Sequence, residues 1–308
     1  MRVTYPHFIR YLENLLDEIK NFNSIAGQLQ PSPGEVPRLE GLDVHGECFP
    51  MNGLMGGDHI VYVDFNRRFD LDARIRKALD EGREDVAREL HLDRGRAGIL
   101  LADVAGHRLT DAVLTAMLHQ AFLVGVQYEL ETRGTITTNL FENINARFHH
   151  STQVGKYVTM IYGEISATGM FRFISAGHPY PIVFSNEFDR IMDIAEDRMV
   201  RYPPIGTMLE RDHVDQSRHE SLLGEKDPYT INEMELMGHG DILIIYTDGF
   251  AEHADADGNP YCPARLEEKL RAAKGQSAEE ISHVLLEDML EFGNPADDLS
   301  FVVIKKTA

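Results

Sequence analysis

Apolar residues recur at the spacing of an α-helix in several segments of the chain. Near its start, four of them lie three or four positions apart and form one stripe: Ile9, Leu12, Leu16 and Ile19. The same criterion predicts helices over residues 70–92, which Gly82 can divide in two, and over 110–130, 138–149 and 278–292. Residues 112–126 form the longest apolar stretch, which is typical of a buried helix.

Runs rich in β-branched and aromatic residues predict the strands, over 42–49, 59–65, 97–102, 158–165, 170–175, 181–185, 241–246 and 299–304. A turn at Ala167–Gly169 joins two of them into a hairpin, and residues 181–185 continue that pattern. Residues 202–232 are polar and rich in turns, which indicates a surface excursion. Because strand pairs of antiparallel character are separated by long helices, we expect an α+β fold rather than regular βαβ alternation.

A proline-rich segment, 30–37, separates the first helix from the rest of the chain. We therefore divide the chain into an amphipathic helix, 1–24, and one domain, 25–308, with a charged helical insertion at about 68–95. So short a helix is marginally stable alone, so it must dock on something. Docking on its own domain and a role in dimerisation or regulation both remain open.

The charge excludes some classes of partner. The chain has 30 Lys and Arg against 50 Asp and Glu, a net charge of −20, so nucleic acid and anionic membranes are not expected. No uncharged apolar run reaches the ~18 residues of a membrane span, and the N-terminus lacks a signal-peptide core. The two cysteines, Cys48 and Cys262, lie far apart and indicate reduced thiols in a cytoplasmic protein.

Candidate chemistry is concentrated in aspartates at strand ends. Asp58 follows two glycines, Asp103 and Asp248 end apolar strands, and Asp297 and Asp298 precede the last strand. One such aspartate is most often a turn former or a helix cap, but four such places are harder to explain in that way. Converging carboxylates suit Mg²⁺ or Mn²⁺, which prefer oxygen ligands. Zinc is not indicated, because neither cysteine has a neighbouring His or Cys.

Five motifs stand in a fixed order around these residues: Met55–Asp58 (MGGD), Asp103–His107 (DVAGH), Ser175–Pro179 (SAGHP), Tyr246–Glu252 (YTDGFAE) and Asp297–Ile304 (DDLSFVVI). Together they resemble the SpoIIE/RsbU branch of the metal-dependent type 2C (PPM) serine/threonine phosphatases. The likeness extends over residues 25–305, and the segment 28–33 is similar to the lead-in of that branch.

The resemblance implies a four-layer α-β-β-α sandwich, two antiparallel sheets flanked by helices. It also implies two Mn²⁺ or Mg²⁺ ions in a cleft at the sandwich edge. By motif position, Asp103 would bridge the ions, with the Val104 carbonyl as a further ligand. Asp248 and Asp297 would hold one ion and Asp58 the other. Asp298 is then the weaker ligand candidate of its pair, with a turn or capping role.

The implied reaction is hydrolysis of phosphoserine or phosphothreonine by in-line attack of a metal-bridging hydroxide, without a phosphoenzyme. Asp103 and Asp248 would be the catalytic aspartates. His107 is a candidate proton donor to the leaving oxygen; the alternative is a structural imidazole. His178, before a proline, is interpreted as a turn residue.

The resemblance also implies a substrate: a phosphorylated regulatory protein, such as an anti-sigma-factor antagonist, in a pathway of sigma-factor regulation. Two alternatives remain open, a catalytically weak partner-binding regulator with this fold and a hydrolase of small phosphoesters. The chain departs from the branch in its longer 58–103 segment, in Arg108, and in an inserted tract at 210–229.

Overall fold

The structure is a computed structural model that describes residues 5–27, 35–51, 56–105, 109–149, 157–211, 213–214, 223–236 and 238–307. The helices are α1 (Tyr5–Gly27), α2 (Phe65–Arg68), α3 (Leu71–Asp80), α4 (Glu84–Leu92), α5 (Leu109–Thr132), α6 (Thr138–His149), α7 (Asp248–Ala251), α8 (Ala264–Ala273) and α9 (Ala278–Phe292). The strands are β1 (Leu42–Phe49), β2 (Asp58–Asp64), β3 (Arg96–Val104), β4 (Val158–Ser166), β5 (Met170–Ala176), β6 (Ile182–Ser185), β7 (Arg190–Ile191), β8 (Arg201–Tyr202), β9 (Leu209–Glu210), β10 (Glu225–Lys226), β11 (Asn232–Glu235), β12 (Ile242–Tyr246) and β13 (Leu299–Lys306).

Two larger sheets organise these strands. One has the order β1-β13-β12-β6-β7, and the other has the order β11-β5-β4-β3-β2, with β8 beside β5. Neighbours in both orders run antiparallel, whereas β8 is parallel to β5 and the small β9–β10 ribbon is also parallel. Antiparallel neighbours need only short turns, which is why consecutive strands can pair directly.

Apolar side chains fill three successive layers of the molecule. Alternate residues of both sheets meet in a central core that includes Val44, Leu101, Ile161, Leu243 and Val302. The outer face of the second sheet packs against α3–α6, and the outer face of the first packs against α8 and α9. The architecture is therefore the expected α+β sandwich with two antiparallel sheets between helical layers, which confirms the fold class.

The predicted element boundaries agree closely with the structure, which also shows how the strands are paired. The sequence predicts a strand over residues 181–185 without specifying its partner. They form β6, which pairs with β12 in the first sheet, with Ile182 opposite Ile244 and Phe184 opposite Ile242. Period-two patterns specify a strand but not its partner, so this pairing depended on tertiary packing.

The prediction of a surface excursion over 202–232 fits exposed residues such as Val214 and Leu223, but it is wrong for several buried side chains. Tyr202, Ile205 and Tyr229 belong to the core between the second sheet and its helices, and Leu209 is also buried. Lys226, only 2% exposed, donates to both carboxylate oxygens of Glu142 on α6, at 2.8 and 2.7 Å. This segment therefore contributes to the core, although its sequence is polar.

The insertion at 68–95 forms the helical pair α3 and α4. Asp70 caps α3 by accepting from the Ala73 amide at 2.9 Å, and Gly82 separates the two helices with φ +71°. Buried side chains line the inner face of the pair: Leu71, Ile75, Ala78, Val86, Ala87 and Leu90. The insertion is thus part of the helical layer rather than a purely solvated addition.

Helices α1 and α5 both carry exposed apolar side chains. The sequence predicts that α5 is a buried helix. Phe122 and Val126 are buried, but Val124 and Tyr128 are each 65% exposed, so only one face of α5 is buried. On α1, Ile9, Leu12 and Leu16 are 40 to 56% exposed. Within the described segments, none of the helices combines the length and the apolarity required to span a bilayer.

A buried carboxyl far from the strand-end aspartates makes stability depend on pH. Neither oxygen of Asp93 has a hydrogen-bond partner among the described residues, and the Arg96 guanidinium is 3.8 Å away. Burial, with the charge of Glu164 second, raises the pKa of Asp93 to about 8. The folded protein therefore keeps a proton that the unfolded chain loses above about pH 4, and this contribution to stability is lost as pH rises to about 8.

We expect Asp93→Asn to be more stable than the wild type at pH 8, with a difference that shrinks toward pH 5. Denaturant unfolding of both proteins between pH 5 and 8.5 measures this difference. Subtracting the wild-type free energy of unfolding from that of the variant at each pH cancels the contributions of the other titrating groups. The exposed Asp80→Asn is the matched control. A wild-type-to-variant difference that stays constant with pH would contradict the assignment.

Candidate active site

Two of the strand-end aspartates lie side by side at one edge of the second sheet. Asp58 begins β2 and Asp103 lies near the end of β3, and the antiparallel register pairs them directly. Directly paired residues in antiparallel strands have α-carbons about 4.5–5.5 Å apart. The Val104 amide also donates to the Gly57 carbonyl at 3.2 Å, which ties the two strand ends together.

The other aspartates come from neighbouring elements of the first sheet. Asp248 is the first residue of α7 after β12, and Asp297 and Asp298 immediately precede β13, which pairs with β12. A β-carbon on Gly249 would lie 2.1 Å from the Asp298 carbonyl oxygen, so the two loops can approach this closely only with glycine at that position.

Two side chains join the sheet ends to each other. The Thr247 hydroxyl donates to Asp58 Oδ2 at 2.8 Å. Asp298 accepts from the Gly57 amide and from the Met51 amide, both at 2.8 Å. Gly56 leaves room for this carboxylate, because a β-carbon there would collide with it. The structure thus brings all five aspartates to one edge of the sandwich.

The solvent exposure of the aspartates increases from the buried side of the cluster to the side that faces solvent. Asp58 and Asp298 are buried, Asp103 is half-buried, and Asp248 and Asp297 are exposed. Burial raises the pKa of Asp58, and the charge of Asp103 adds to this effect. The pKa of Asp103 is raised mainly by burial and then by the charges of Asp248 and Asp297. The pKa of Asp248 is raised mainly by partial burial and then by the charge of Asp297.

This electrostatic pattern fits a site for divalent cations. In the part of the chain that the structure describes, the neighbouring charges that raise these pKa values are those of other carboxylates. The fold holds these carboxylates close together although their negative charges repel one another, and bound cations would relieve that repulsion. Carboxylate and carbonyl oxygens are the donors that Mg²⁺ and Mn²⁺ prefer, so the residues present fit the implied metals.

The two candidate histidines differ in how far the structure describes them. His107 lies outside the described residues. His178 is fully buried, and its Nδ1 lies 3.1 Å from the hydroxyl of Thr159, the residue paired with Asp103. Burial lowers the pKa of His178 to about 3, so its imidazole is neutral at physiological pH. His178 is therefore a buried part of the support behind the cluster.

Sequence reasoning missed the role of Thr247 and the partners of Asp298 in supporting the other aspartates. Thr247 stands directly before Asp248, but nothing in its sequence position shows that its hydroxyl reaches Asp58. Asp298 was expected to have a turn or capping role, and the structure shows that it connects the loop before β2 to the loop before β13. The sequence signal that could have identified Thr247 and Asp298 is that each stands directly beside a candidate ligand, Asp248 or Asp297.

Comparison with known proteins agrees with this geometry. A family model described as Stage II sporulation protein E (SpoIIE) matches residues 93–307. The phosphoserine phosphatase RsbP of Bacillus subtilis (strain 168) is 30% identical over 89 residues, which are 29% of this chain and 22% of RsbP. The chain therefore spans less than a quarter of the length of that relative.

Two solved structures share the fold at low sequence identity. The SiaA-PP2C domain of Pseudomonas aeruginosa superposes with a TM-score of 0.63 at 14% identity, covering 96% of this chain and 98% of that one. The RsbU and RsbW domains of Rv1364c from Mycobacterium tuberculosis give 0.61 at 18% identity, covering 90% of this chain and 64% of that one.

The fold is therefore that of PP2C-type phosphatase domains. The family match extends over more than half of the chain, so this protein belongs to the SpoIIE family.

Proposed function

We propose that this protein is a Mn²⁺- or Mg²⁺-dependent phosphatase that hydrolyses phosphoserine or phosphothreonine on a partner protein. The observation that carries this proposal is the convergence of acidic side chains from both sheets on one partly open edge. Asp103, with the Val104 carbonyl, would lie between two ions, Asp248 and Asp297 would hold one, and Asp58 the other. When bound, the ions supply activation of water and neutralisation of the phosphate charge.

The chain's own residues keep this site in one geometry. The Thr247 hydroxyl orients Asp58, and Asp298 holds the backbone on either side of the 52–55 segment through the amides of Met51 and Gly57. Hydrogen bonds of this kind to a ligand set its orientation and basicity. His107 remains our candidate for the proton that the leaving oxygen requires, because the neutral, buried His178 is unsuited to that task.

A protein substrate suits the open side of the cluster. Asp248 and Asp297 are exposed, so a phosphorylated side chain on a protein surface can approach them. The named activity of the relative RsbP, a phosphoserine phosphatase, supports this substrate class. We propose a phosphorylated regulator of the anti-sigma-factor-antagonist type as the substrate. Neither Cys48 nor Cys262 forms a disulfide, which is compatible with the reducing cytoplasm that we propose as the site of action.

Metal removal is the direct test of this proposal. We expect the full chain to hydrolyse a phosphoserine peptide and an aryl phosphate with Mn²⁺ or Mg²⁺, and to lose turnover in excess EDTA. Restoring either metal should restore turnover, with circular dichroism as the control for folding. A folded protein inactive with both metals would favour the partner-binding regulator. Equal kcat/KM for peptide and aryl phosphate would favour a hydrolase of small phosphoesters.

We further propose that α1 pairs with α1 of a second copy. The proposal rests on the exposed apolar stripe of Ile9, Leu12 and Leu16, whose spacing repeats along one helix face. Changing all three to glutamine should convert a dimer to a monomer in light scattering, with no change in the folded domain. The exposed pair Glu13→Gln with Glu18→Gln is the control. A wild type that is already monomeric at micromolar concentration would contradict the proposal.

A further inference from the structure

A second group of side chains of the types that bind metals lies on the opposite face of β1 from the central core. His45 and Glu47 are two residues apart on this strand, so they point to the same side, where α9 packs and contributes His283. Glu47 Oε1 lies 3.0 Å from His45 Nε2 and 3.2 Å from His283 Nε2. This His45–Glu47–His283 cluster is separate from the aspartates: Glu47 pairs with Phe301, three residues or about 10 Å along β13 from Asp298.

Local structure holds the two elements of the cluster together. The Asp43 carboxylate accepts from the Ala278 amide at 2.7 Å, which anchors the start of α9 to β1. Ser277 and Glu280 form a capping box there, and Ile281 and Leu285 bury the inner face of the helix. His283 therefore projects from a helix whose position over β1 is already determined.

The spacing of the ligand atoms suits a small tetrahedral ion. In a tetrahedral zinc site with bonds of about 2.0–2.1 Å, neighbouring ligand atoms are about 3.3 Å apart. The two contacts to Glu47 are close to this value, and one ligand atom from each residue lies within 4.8 Å of the others. Small side-chain rotations could therefore bring all three onto one ion.

The donor types select the class of metal. Two imidazole nitrogens with one carboxylate suit Zn²⁺ and similar transition metals, whereas Mg²⁺ prefers oxygen ligands throughout. The carboxylates of Glu47, Glu279 and Asp43 surround His45 with negative charge, which favours a cation. The His45 and Glu47 side chains are 23% and 22% exposed and His283 is 55% exposed, so an ion can enter from solvent.

We propose that the His45–Glu47–His283 cluster binds one Zn²⁺ ion through three protein ligands and leaves one position open to solvent. The bound ion links the edge strand β1 to α9. This inference does not depend on the proposed phosphatase activity, because its residues and its readout are separate from the aspartate cluster.

Zinc binding by the full chain tests the proposal. Chelator-stripped protein in excess Mg²⁺, which masks the aspartate cluster, is titrated with Zn²⁺ against a chromophoric chelator. We expect the wild type to bind one Zn²⁺ ion per chain tightly and His283→Ala to bind it at least about tenfold more weakly. The side chain of His283 is exposed, so it can be removed without unfolding the protein. His91→Ala, at an exposed position on α4, should bind like the wild type.

Two further readouts identify the ions bound. Co²⁺ in place of Zn²⁺ should give the visible absorption of a tetrahedral site in the wild type but not in His283→Ala. Zn²⁺ should raise the unfolding temperature of the wild type more than that of His283→Ala, because the ion links two elements. Undiminished binding by His283→Ala, absence of a tight equivalent in the wild type, or loss of it in Asp248→Asn would each overturn the proposal.

Discussion

Replacing Asp248 with asparagine is expected to reduce metal-dependent phosphatase turnover by at least about a hundredfold, which corresponds to about 2.7 kcal/mol of transition-state stabilisation. Asparagine keeps the shape of the side chain but removes the negative charge that would hold a cation. Because Asp248 is exposed at the mouth of the cluster, the change should not disturb the core. Steady-state kinetics over a range of Mn²⁺ and Mg²⁺ concentrations measure both turnover and metal affinity.

The same substitution should leave the metal-free protein at least as stable as the wild type. Burial, followed by the charge of Asp297, raises the pKa of Asp248, so the two carboxylates repel each other when no cation is bound. Removing one charge relieves that repulsion, which is the opposite of its effect on activity. Denaturant unfolding in EDTA measures the free energy of unfolding of both proteins.

Asp298→Asn is the contrasting variant, because we assign Asp298 to support rather than to ligation. Its two carboxylate oxygens accept from two backbone amides, and an asparagine can satisfy only one of them. The metal-free Asp298→Asn protein should therefore lose about 1–3 kcal/mol of stability. Asp80→Asn serves as the control for the Asp248 and Asp298 variants. If Asp248→Asn retained full metal-dependent turnover, the assignment of Asp248 as a metal ligand would be wrong.

Removing the carboxylate of Glu142 should cause one of the largest losses of stability in this protein, about 3–5 kcal/mol for Glu142→Ala. The carboxylate holds the ammonium of Lys226, which is almost completely buried, and also accepts from the Tyr229 amide at 2.7 Å. Without it, the described residues that still contact the ammonium are the Asp227 carbonyl at 3.3 Å and the rings of Tyr229 and Tyr202, whose centres lie at 3.6 and 5.5 Å. Denaturant unfolding measures the loss.

A double variant separates the cost of an unpaired charge from the value of the pair. Glu142→Leu with Lys226→Met removes both charges, so it should be more stable than Glu142→Ala, although the Tyr229 amide still loses its acceptor. Asp17→Ala removes an exposed ion pair to Lys20 and should change stability by no more than about 0.5 kcal/mol. A Glu142→Ala protein as stable as the wild type would show that Lys226 is neutral or finds solvent.

Properties that depend on neighbours in sequence were predictable. The helix over 138–149 and the strand over 42–49 have the bounds that their patterns predicted, and Gly82 does separate α3 from α4. Periodicity decides these elements because each residue's burial follows from its position on its own helix or strand. The aspartates could be selected for a similar reason, since each lies directly beside a recognisable strand end or turn.

Properties that depend on partners distant in sequence were decided only by tertiary structure. The sheet that β6 joins, the burial of Lys226 against α6 and the support that Thr247 gives to Asp58 all join segments that share no local pattern. The same holds for His45 and His283, which lie in β1 and α9 and come together only in the folded protein. Sequence by itself thus determined the elements and the acidic residues of the site, whereas the packing of two sheets and their helices decided which side chains meet, because only folding brings distant residues within bonding distance.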